Sequence, residues 1–155
     1  MRRPLGPALL ALLGACGYRV GGLYETRDVR VDVFDNVGER RTHEFDLTEA
    51  VVREMTARGI RVNRKDAPVT LRGSIEEIRT PPLVEQAKTD ALLVGSLLYR
   101  VRIRLVRADG TERWNDERLE SVSYTPSRGE SPETARRAML DRLARWVVTH
   151  FEKEW

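Results

Sequence analysis

Residues 97–107, LLYRVRIRLVR, constrain the fold more than any other segment, because apolar residues alternate with arginine along them. A period of two is typical of a β-strand with one face buried and the other in water. The apolar set is Tyr99, Val101, Ile103 and Leu105, and the opposite set is Arg100, Arg102 and Arg104. The chain must therefore form a sheet that keeps one face polar, as antiparallel sheets commonly do.

Asp109-Gly110 follows that strand and predicts a two-residue hairpin turn. The register from this turn pairs Arg107 with Glu112, Leu105 with Trp114 and Arg102 with Glu117. Past Trp114 the apolar residues change sides, because Leu119 falls on the arginine side. This slip predicts a β-bulge within residues 115–118.

Two segments show the apolar spacing of helices. The first begins at Asp46, in a capping-box-like Asp-Leu-Thr-Glu run, and ends at Gly59, where a left-handed residue is favoured. The second begins with Ser131 as the N-cap and Pro132 in the first turn. Their apolar stripes are Leu47, Ala50, Val51 and Met55 in the first, and Ala135, Met139, Leu143, Trp146, Val147 and Phe151 in the second.

Two further alternating segments, residues 29–34 and 69–78, predict strands before and after the first helix. Pro81-Pro82 ends the later strand, since proline cannot donate to a sheet, and residues 80–95 are expected to form a long loop. The order is β-α-β-β-β-α. It predicts an α+β fold, in which two amphipathic helices pack on one face of a four-stranded mixed sheet.

The first 15 residues are typical of a signal peptide. Arg2 and Arg3 precede an apolar run from Leu5 to Ala15, which is too short to cross a bilayer, because a spanning helix needs about 20 apolar residues. A buried N-terminal helix is the alternative, and the glycines and proline within the run disfavour it.

Leu13-Gly14-Ala15-Cys16 resembles the lipobox of bacterial lipoproteins. The resemblance implies cleavage before Cys16 and acylation of that residue, with Gly17 after it favouring the outer membrane. Cys16 is the only cysteine, so no disulfide forms within the chain, and a free thiol or an intermolecular bridge is the alternative. Residues 16–28 are then a lipidated tether, and residues 29–155 one domain.

Net charge and histidine content argue against two function classes. Removing residues 1–15 leaves 25 basic against 24 acidic residues, a net charge of +1, whereas nucleic-acid binding needs a basic domain with aromatic platforms. His43 and His150 are the only histidines, and neither belongs to a nucleophile or metal motif. We therefore expect neither an enzyme, nor a metal site, nor a nucleic-acid partner.

The lipobox, tether, capped helix, hairpin and terminal helix together resemble the LptE family of lipopolysaccharide-assembly lipoproteins. The segments that carry the resemblance are CGY at 16–18 with Gly22, VDVFDN at 31–36, EFDLTEA at 44–50, LRGSI at 71–75, YRV at 99–101 and RLARWVV at 142–148. They extend over nearly all of the chain after residue 15.

This resemblance implies a non-enzymatic protein, held in the outer membrane by lipid on Cys16, facing the periplasm and carrying no other cofactor. Family members sit as a plug in the lumen of the outer-membrane barrel LptD, assist its assembly and bind lipopolysaccharide. The alternative is a lipoprotein adaptor or assembly factor of another envelope or secretion complex, because a fold does not determine a function.

Two interpretations of the arginine-rich strand face stay open. It is either a solvated face that Glu117 partly neutralises, or a contact surface for an anionic ligand, since guanidinium binds phosphate through paired hydrogen bonds. Lipopolysaccharide, with its phosphates and acidic sugars, and an acidic barrel lumen both fit the second interpretation. The candidate contact residues are Arg100, Arg102 and Arg104, together with Arg72, whose neighbours Leu71 and Gly73 oppose it on the second strand.

Overall fold

The computed structural model describes residues 24, 26–37, 43–86 and 91–152, with the backbone alone for 82–86 and 91–93. In chain order the elements are β1 (Asp28–Val31), β2 (Asp35–Asn36), α1 (His43–Ala57), β3 (Arg61–Val62), β4 (Val69–Arg79), β5 (Pro82–Gln86), β6 (Ala91–Arg107), β7 (Glu112–Tyr124) and α2 (Pro132–Thr149), with a short 3-10 turn at Pro126–Arg128. The predicted α+β class is confirmed.

The sheet is mixed, as predicted, but it has more than four strands. The predicted strands correspond to β1, β4, β6 and β7, and the described residues add the two-residue strands β2 and β3 and the strand β5. β1 runs parallel to β4, with Val29 opposite Val69, whereas β4, β6 and β7 pair antiparallel. The β-α-β unit around α1 therefore has the expected parallel strands.

The predicted loop at residues 80–95 is wrong in part, because β5 and the beginning of β6 form a hairpin there. Pro82 lies opposite Gly95, and Gln86 lies opposite Ala91. The two prolines do end β4, yet proline is tolerated as the first residue of a strand, where Pro82 lies. Residues 92–94 lack the alternation of a half-buried strand. This does not exclude a strand, because a short continuous apolar run also fits one.

Helix α1 begins at His43, three residues before the predicted Asp46 cap, so that Asp46 lies in its first turn. Its C-terminal end is as predicted. Gly59 has φ +78°, and the amides of Ile60 and Gly59 donate to the carbonyls of Met55 and Thr56. These two bonds are a Schellman motif.

Helix α2 begins as predicted. The Ser131 hydroxyl accepts from the Thr134 amide at 3.2 Å, and the Thr134 hydroxyl accepts from the Ser131 amide at 2.9 Å. All predicted stripe residues of both helices are buried, and they pack against the apolar face of β6, where Val101 and Ile103 have no exposed surface. The core lies between this face and the two helices.

The β6–β7 register confirms two of the three predicted pairs, Leu105 with Trp114 and Arg102 with Glu117. The third is wrong, because Glu112 pairs with Val106 and not with Arg107. The Gly110 amide donates to the Arg107 carbonyl, and the Arg107 amide donates to the Thr111 carbonyl. The turn thus has three residues, 108–110, with Gly110 left-handed at φ +85°.

The extra residue in the turn requires a bulge. This bulge lies between the Leu105–Trp114 pair and the Val106–Glu112 pair, so the predicted bulge within residues 115–118 is wrong. Leu119 stays on the arginine side, opposite Arg100, and is 53% exposed. The change in the apolar pattern therefore reflects an exposed leucine, not a change of register.

Two glycines allow aromatic rings to lie directly on the sheet. A Cβ atom at Gly73 would lie 2.4 Å from the Phe34 ring, and one at Gly95 would lie 2.2 Å from the Tyr124 ring. Both rings are buried. No larger residue fits at either position without moving an aromatic side chain.

The predicted signal peptide, Cys16 and most of the tether lie outside the described residues. Tyr24, the first described residue, forms a β-bridge with Glu152 after the end of α2. The chain therefore enters the domain beside the C-terminal end of α2. Neither of the two described helices is long and apolar enough to span a membrane.

Candidate functional site: the arginine face

The four predicted arginines lie on the open side of the sheet, opposite the helices. We call Arg72 on β4 and Arg100, Arg102 and Arg104 on β6 the arginine face. The predicted position of Arg72 is correct, because it is the direct cross-strand neighbour of Arg104. The side chains of Arg72, Arg100 and Arg102 are 42–56% exposed.

Arg100 and Arg102 are held by carboxylates. Arg100 contacts Glu77 at 3.1 Å and Glu117 at 3.2 Å. Arg102 contacts Glu117 at 2.7 Å and Glu76 at 3.5 Å. Glu117 therefore bridges the two arginines, and the middle of the face is an ion-pair network that spans three strands.

This network shifts the protonation equilibria of its members. The hydrogen bonds from Arg102 and Arg100 lower the pKa of Glu117 below its ordinary value. The pKa of Arg100 is raised chiefly by its hydrogen bond to Glu77, and that of Arg102 chiefly by its hydrogen bond to Glu117. All three groups are thus held in their charged forms.

Arg72 and Arg104 are less well neutralised than Arg100 and Arg102. Arg72 contacts Asp32 at 3.2 Å, and Arg30 contacts the same carboxylate at 3.3 Å. Among the described residues, Arg104 has no ion-pair partner and no side-chain hydrogen bond, and its neighbour on β7 is the uncharged Asn115. Directly opposed like charges destabilise a sheet, so this pair is electrostatically unfavourable without an anion.

The face therefore has two parts with different charge. In the middle, Arg79, Arg100 and Arg102 are matched by three carboxylates, those of Glu76, Glu77 and Glu117. Toward the 108–110 turn, Arg30 and Arg72 share the carboxylate of Asp32, and Arg104 contacts no carboxylate of the described residues. We call these last three arginines the basic end, which carries the excess positive charge of the face.

Sequence reasoning found the arginines but missed most of their partners. Glu117 was identified through the hairpin, whereas Asp32, Glu76 and Glu77 were not. Glu77 comes opposite Arg100 because the β4–β6 register shifts between Ile75 and Glu77. The alternation of residues 69–76 breaks there, because Glu77 stands where an apolar residue is expected and Ile78 follows it, and this break is the sequence signal of the bulge.

The two histidines have structural partners. The Tyr99 hydroxyl lies 2.9 Å from Nδ1 of the buried His43. Nε2 of His150 lies 2.9 Å from Asp116, and Nδ1 lies 3.0 Å from the Trp146 carbonyl. Within the described ranges, no three His, Cys, Asp or Glu residues are grouped so that they could hold a metal ion.

Solved structures with the same fold share little sequence with the chain. A PelC dodecamer from Paraburkholderia phytofirmans gives a TM-score of 0.59 at 15% identity, covering 86% of this chain and 92% of that one. The hypothetical protein CT253 from Chlamydia trachomatis gives 0.57 at 12% identity, covering 81% and 95%. A minor lipoprotein from Acinetobacter baumannii gives 0.55 at 13% identity, covering 81% and 90%. These similarities show the fold alone.

No curated protein sequence matches the chain. A family model does: the lipopolysaccharide-assembly model LptE matches residues 26–151, which include both helices and every strand of the sheet. The expectation from the sequence motifs is confirmed, and the chain belongs to the LptE family of lipopolysaccharide-assembly proteins.

Proposed function

We propose that this protein is a lipid-anchored plug of the outer-membrane barrel LptD, and that it helps the barrel to assemble and lipopolysaccharide to reach the cell surface. Family membership supports the lipopolysaccharide-assembly role. The observation that carries the proposal beyond the family is the open, arginine-bearing side of the sheet, which the helices leave uncovered. It faces the barrel wall or the lipopolysaccharide that passes by it.

The charge distribution indicates where an anion binds. At the middle of the face an incoming phosphate competes with Glu76, Glu77 and Glu117 for the arginines. At the basic end it meets Arg104, which has no carboxylate of its own among the described residues, and Arg72 directly across the strand. Two guanidinium groups at one site provide the paired, charge-assisted hydrogen bonds that phosphate accepts best.

The lipid on Cys16 fixes the protein to the membrane in this proposal. Several acyl chains hold a protein far more firmly than one chain, which gives only marginal binding. The tether joins the domain at Tyr24, beside Glu152. A Cys16→Ser variant should therefore lose its place in the outer-membrane fraction and stay folded.

The direct test is a pull-down of the tagged full-length protein from detergent-solubilised outer membrane, with mass spectrometric identification of what co-purifies. The proposal predicts an LptD-like barrel in a one-to-one ratio. A secretin-like ring, a peptidoglycan-linked protein or no partner, with the protein intact and lipidated, would favour an adaptor of another envelope complex and overturn the plug.

A further inference from the structure

His150 lies at the C-terminal end of α2, where its side chain connects the helix to β7. Nε2 of the ring lies 2.9 Å from a carboxylate oxygen of Asp116, and Nδ1 lies 3.0 Å from the Trp146 carbonyl oxygen. The side chain is 21% exposed. The proposed plug function makes no use of this residue.

Both ring nitrogens of His150 therefore face oxygen atoms that accept hydrogen bonds and cannot donate them. A neutral imidazole ring has one N–H group, so it can donate to only one of the two oxygens. Its other nitrogen would then place a lone pair against an acceptor. The doubly protonated ring, the imidazolium, has two N–H groups and donates to both oxygens.

The surroundings of the ring also favour a positive charge. His150 is the C-cap of α2, and the C-terminal end of a helix attracts cations. The Trp114 ring lies beside it with a centroid separation of 5.0 Å, within the range at which an indole attracts a cation. Burial opposes the charged form of the Asp116 carboxylate, yet hydrogen bonds from His150 and from the Glu117 amide outweigh it and lower the pKa of Asp116.

Two arginines of β7 lie near the ring and oppose a further positive charge. Arg113 lines the same small space as His150, and its guanidinium donates to the Thr26 hydroxyl at 2.9 Å. Arg118 lies over the Trp146 ring at 5.9 Å, and a carboxylate of its own strand binds it at 2.8 Å. Neither arginine is in direct contact with the imidazole nitrogens, which bind acceptors only.

The remaining charges near this end of α2 are paired with each other. Glu152, two residues after His150, contacts Arg58 of α1 at 3.5 Å. Among the described residues, Asp116 is therefore the carboxylate that contacts the ring, and the charge of the ring depends on it.

We infer that His150 is held as the imidazolium and is a pH-sensitive latch between the end of α2 and β7. At low pH both contacts form. Loss of a proton at higher pH leaves one nitrogen without hydrogen, so either the Asp116 or the Trp146 contact is lost. Stabilisation by the latch is therefore present at low pH and disappears as the pH rises. The inference goes beyond the proposed function and does not depend on it.

The latch lies where the N-terminal segment meets the domain. The ring of Phe151, next to His150, packs against Trp114 with a centroid separation of 5.6 Å. Glu152 follows and forms the β-bridge with Tyr24. Opening of the latch therefore weakens the hold of the domain on residues 150–152 and, through them, on the segment at Tyr24.

The direct test is an NMR spectrum of the ring nitrogens in the full-length protein, purified in detergent and labelled with isotope-enriched histidine. We would record it at about pH 7.5, where an ordinary histidine is about nine-tenths neutral. His150 should show two N–H groups at this pH, and its signals are those absent from the His150→Gln variant. A ring with a single N–H group would overturn the latch.

A pair of matched variants tests the role of Asp116. In Asp116→Asn the new amide can donate to a neutral ring nitrogen, so His150 should show a single N–H group at the same pH. Asp35→Asn removes an equal charge from an exposed position on β2, at the other edge of the sheet. It should leave two N–H groups on His150. Two N–H groups in both variants would contradict the assignment of Asp116 as the partner that holds the charge.

Thermal unfolding measures the consequence for stability. Between about pH 6 and pH 9 the midpoint of the parent chain should fall about 2–4 °C further than that of His150→Gln, the shift expected from the loss of one interaction in a chain of this size. Equal falls would show that the ring does not make stability depend on pH and would overturn the latch. None of these outcomes bears on the barrel pull-down, so the two proposals fail independently.

Discussion

The two sides of β6 have the same backbone and the same pairing partners, but their side chains serve different purposes. On the helix side, Val101 and Ile103 are fully buried. On the other side, Arg102 is 51% exposed. The comparison indicates that the helix side determines stability, and that the pattern of charge on the open side is available for binding.

A second comparison divides the open side itself. In its middle, carboxylates of two strands, β4 and β7, neutralise Arg100 and Arg102. At the basic end, Arg30 and Arg72 share Asp32, and Arg104 contacts no carboxylate of the described residues. Solubility alone does not require that neutralised and excess charges lie at different places on the face. Binding of an anion at one end does require it, because positive charge must be in excess there.

The largest expected change in stability tests the comparison between the two sides of β6, with one substitution on each side. Ile103→Ala should lower the free energy of unfolding by about 2–5 kcal/mol, because it leaves a cavity in the core. Arg104→Ala should change it by no more than about 0.5 kcal/mol, as is usual for an exposed side chain. Urea titration of both variants measures the difference, and similar values for the two would contradict the division of roles.

A smaller loss of about 1–3 kcal/mol is expected for Gly73→Ala, because the new Cβ would overlap the Phe34 ring. The loss should shrink when Phe34→Leu is introduced as well, since the smaller side chain gives way. A double-mutant cycle by thermal unfolding measures this coupling. Additive effects of the two substitutions would show that the ring does not restrict position 73.

The smallest effect on stability is expected for Glu117→Gln, in the middle of the open side. Glu117 has a lowered folded-state pKa, so its ion pairs stabilise the fold above the ordinary carboxylate pKa. That stabilisation is lost as the pH falls through the folded-state value. Stability measured from neutral pH into the acid range should depend less on pH in the variant than in the parent chain. An unchanged pH profile would contradict the pairing.

The sequence was informative wherever a local rule decides the structure. Alternation placed the arginines of β6, Ser131 marked the beginning of α2, and Gly59 marked the end of α1. It was misleading where tertiary contacts decide. The early beginning of α1 involves Glu44, whose buried carboxylate accepts from the Asn36 side chain.

The charge balance of the open side could not be derived from the sequence for the same reason. Asp32 reaches Arg72 only because β1 lies beside β4, and Glu77 reaches Arg100 only through the β4 bulge. Sequence alone therefore presented four equivalent arginines. The fold separates them into a neutralised pair, Arg100 and Arg102, and a pair at the basic end, Arg72 and Arg104.

A binding titration with purified lipopolysaccharide tests most directly whether the basic end binds this anion. Arg104→Glu should weaken binding about tenfold or more, the loss expected when a charge-assisted hydrogen bond is replaced by repulsion. Arg137→Glu, an exposed arginine of α2 on the other side of the molecule, should leave it unchanged. Equal affinities for the two variants would contradict lipopolysaccharide binding at the basic end.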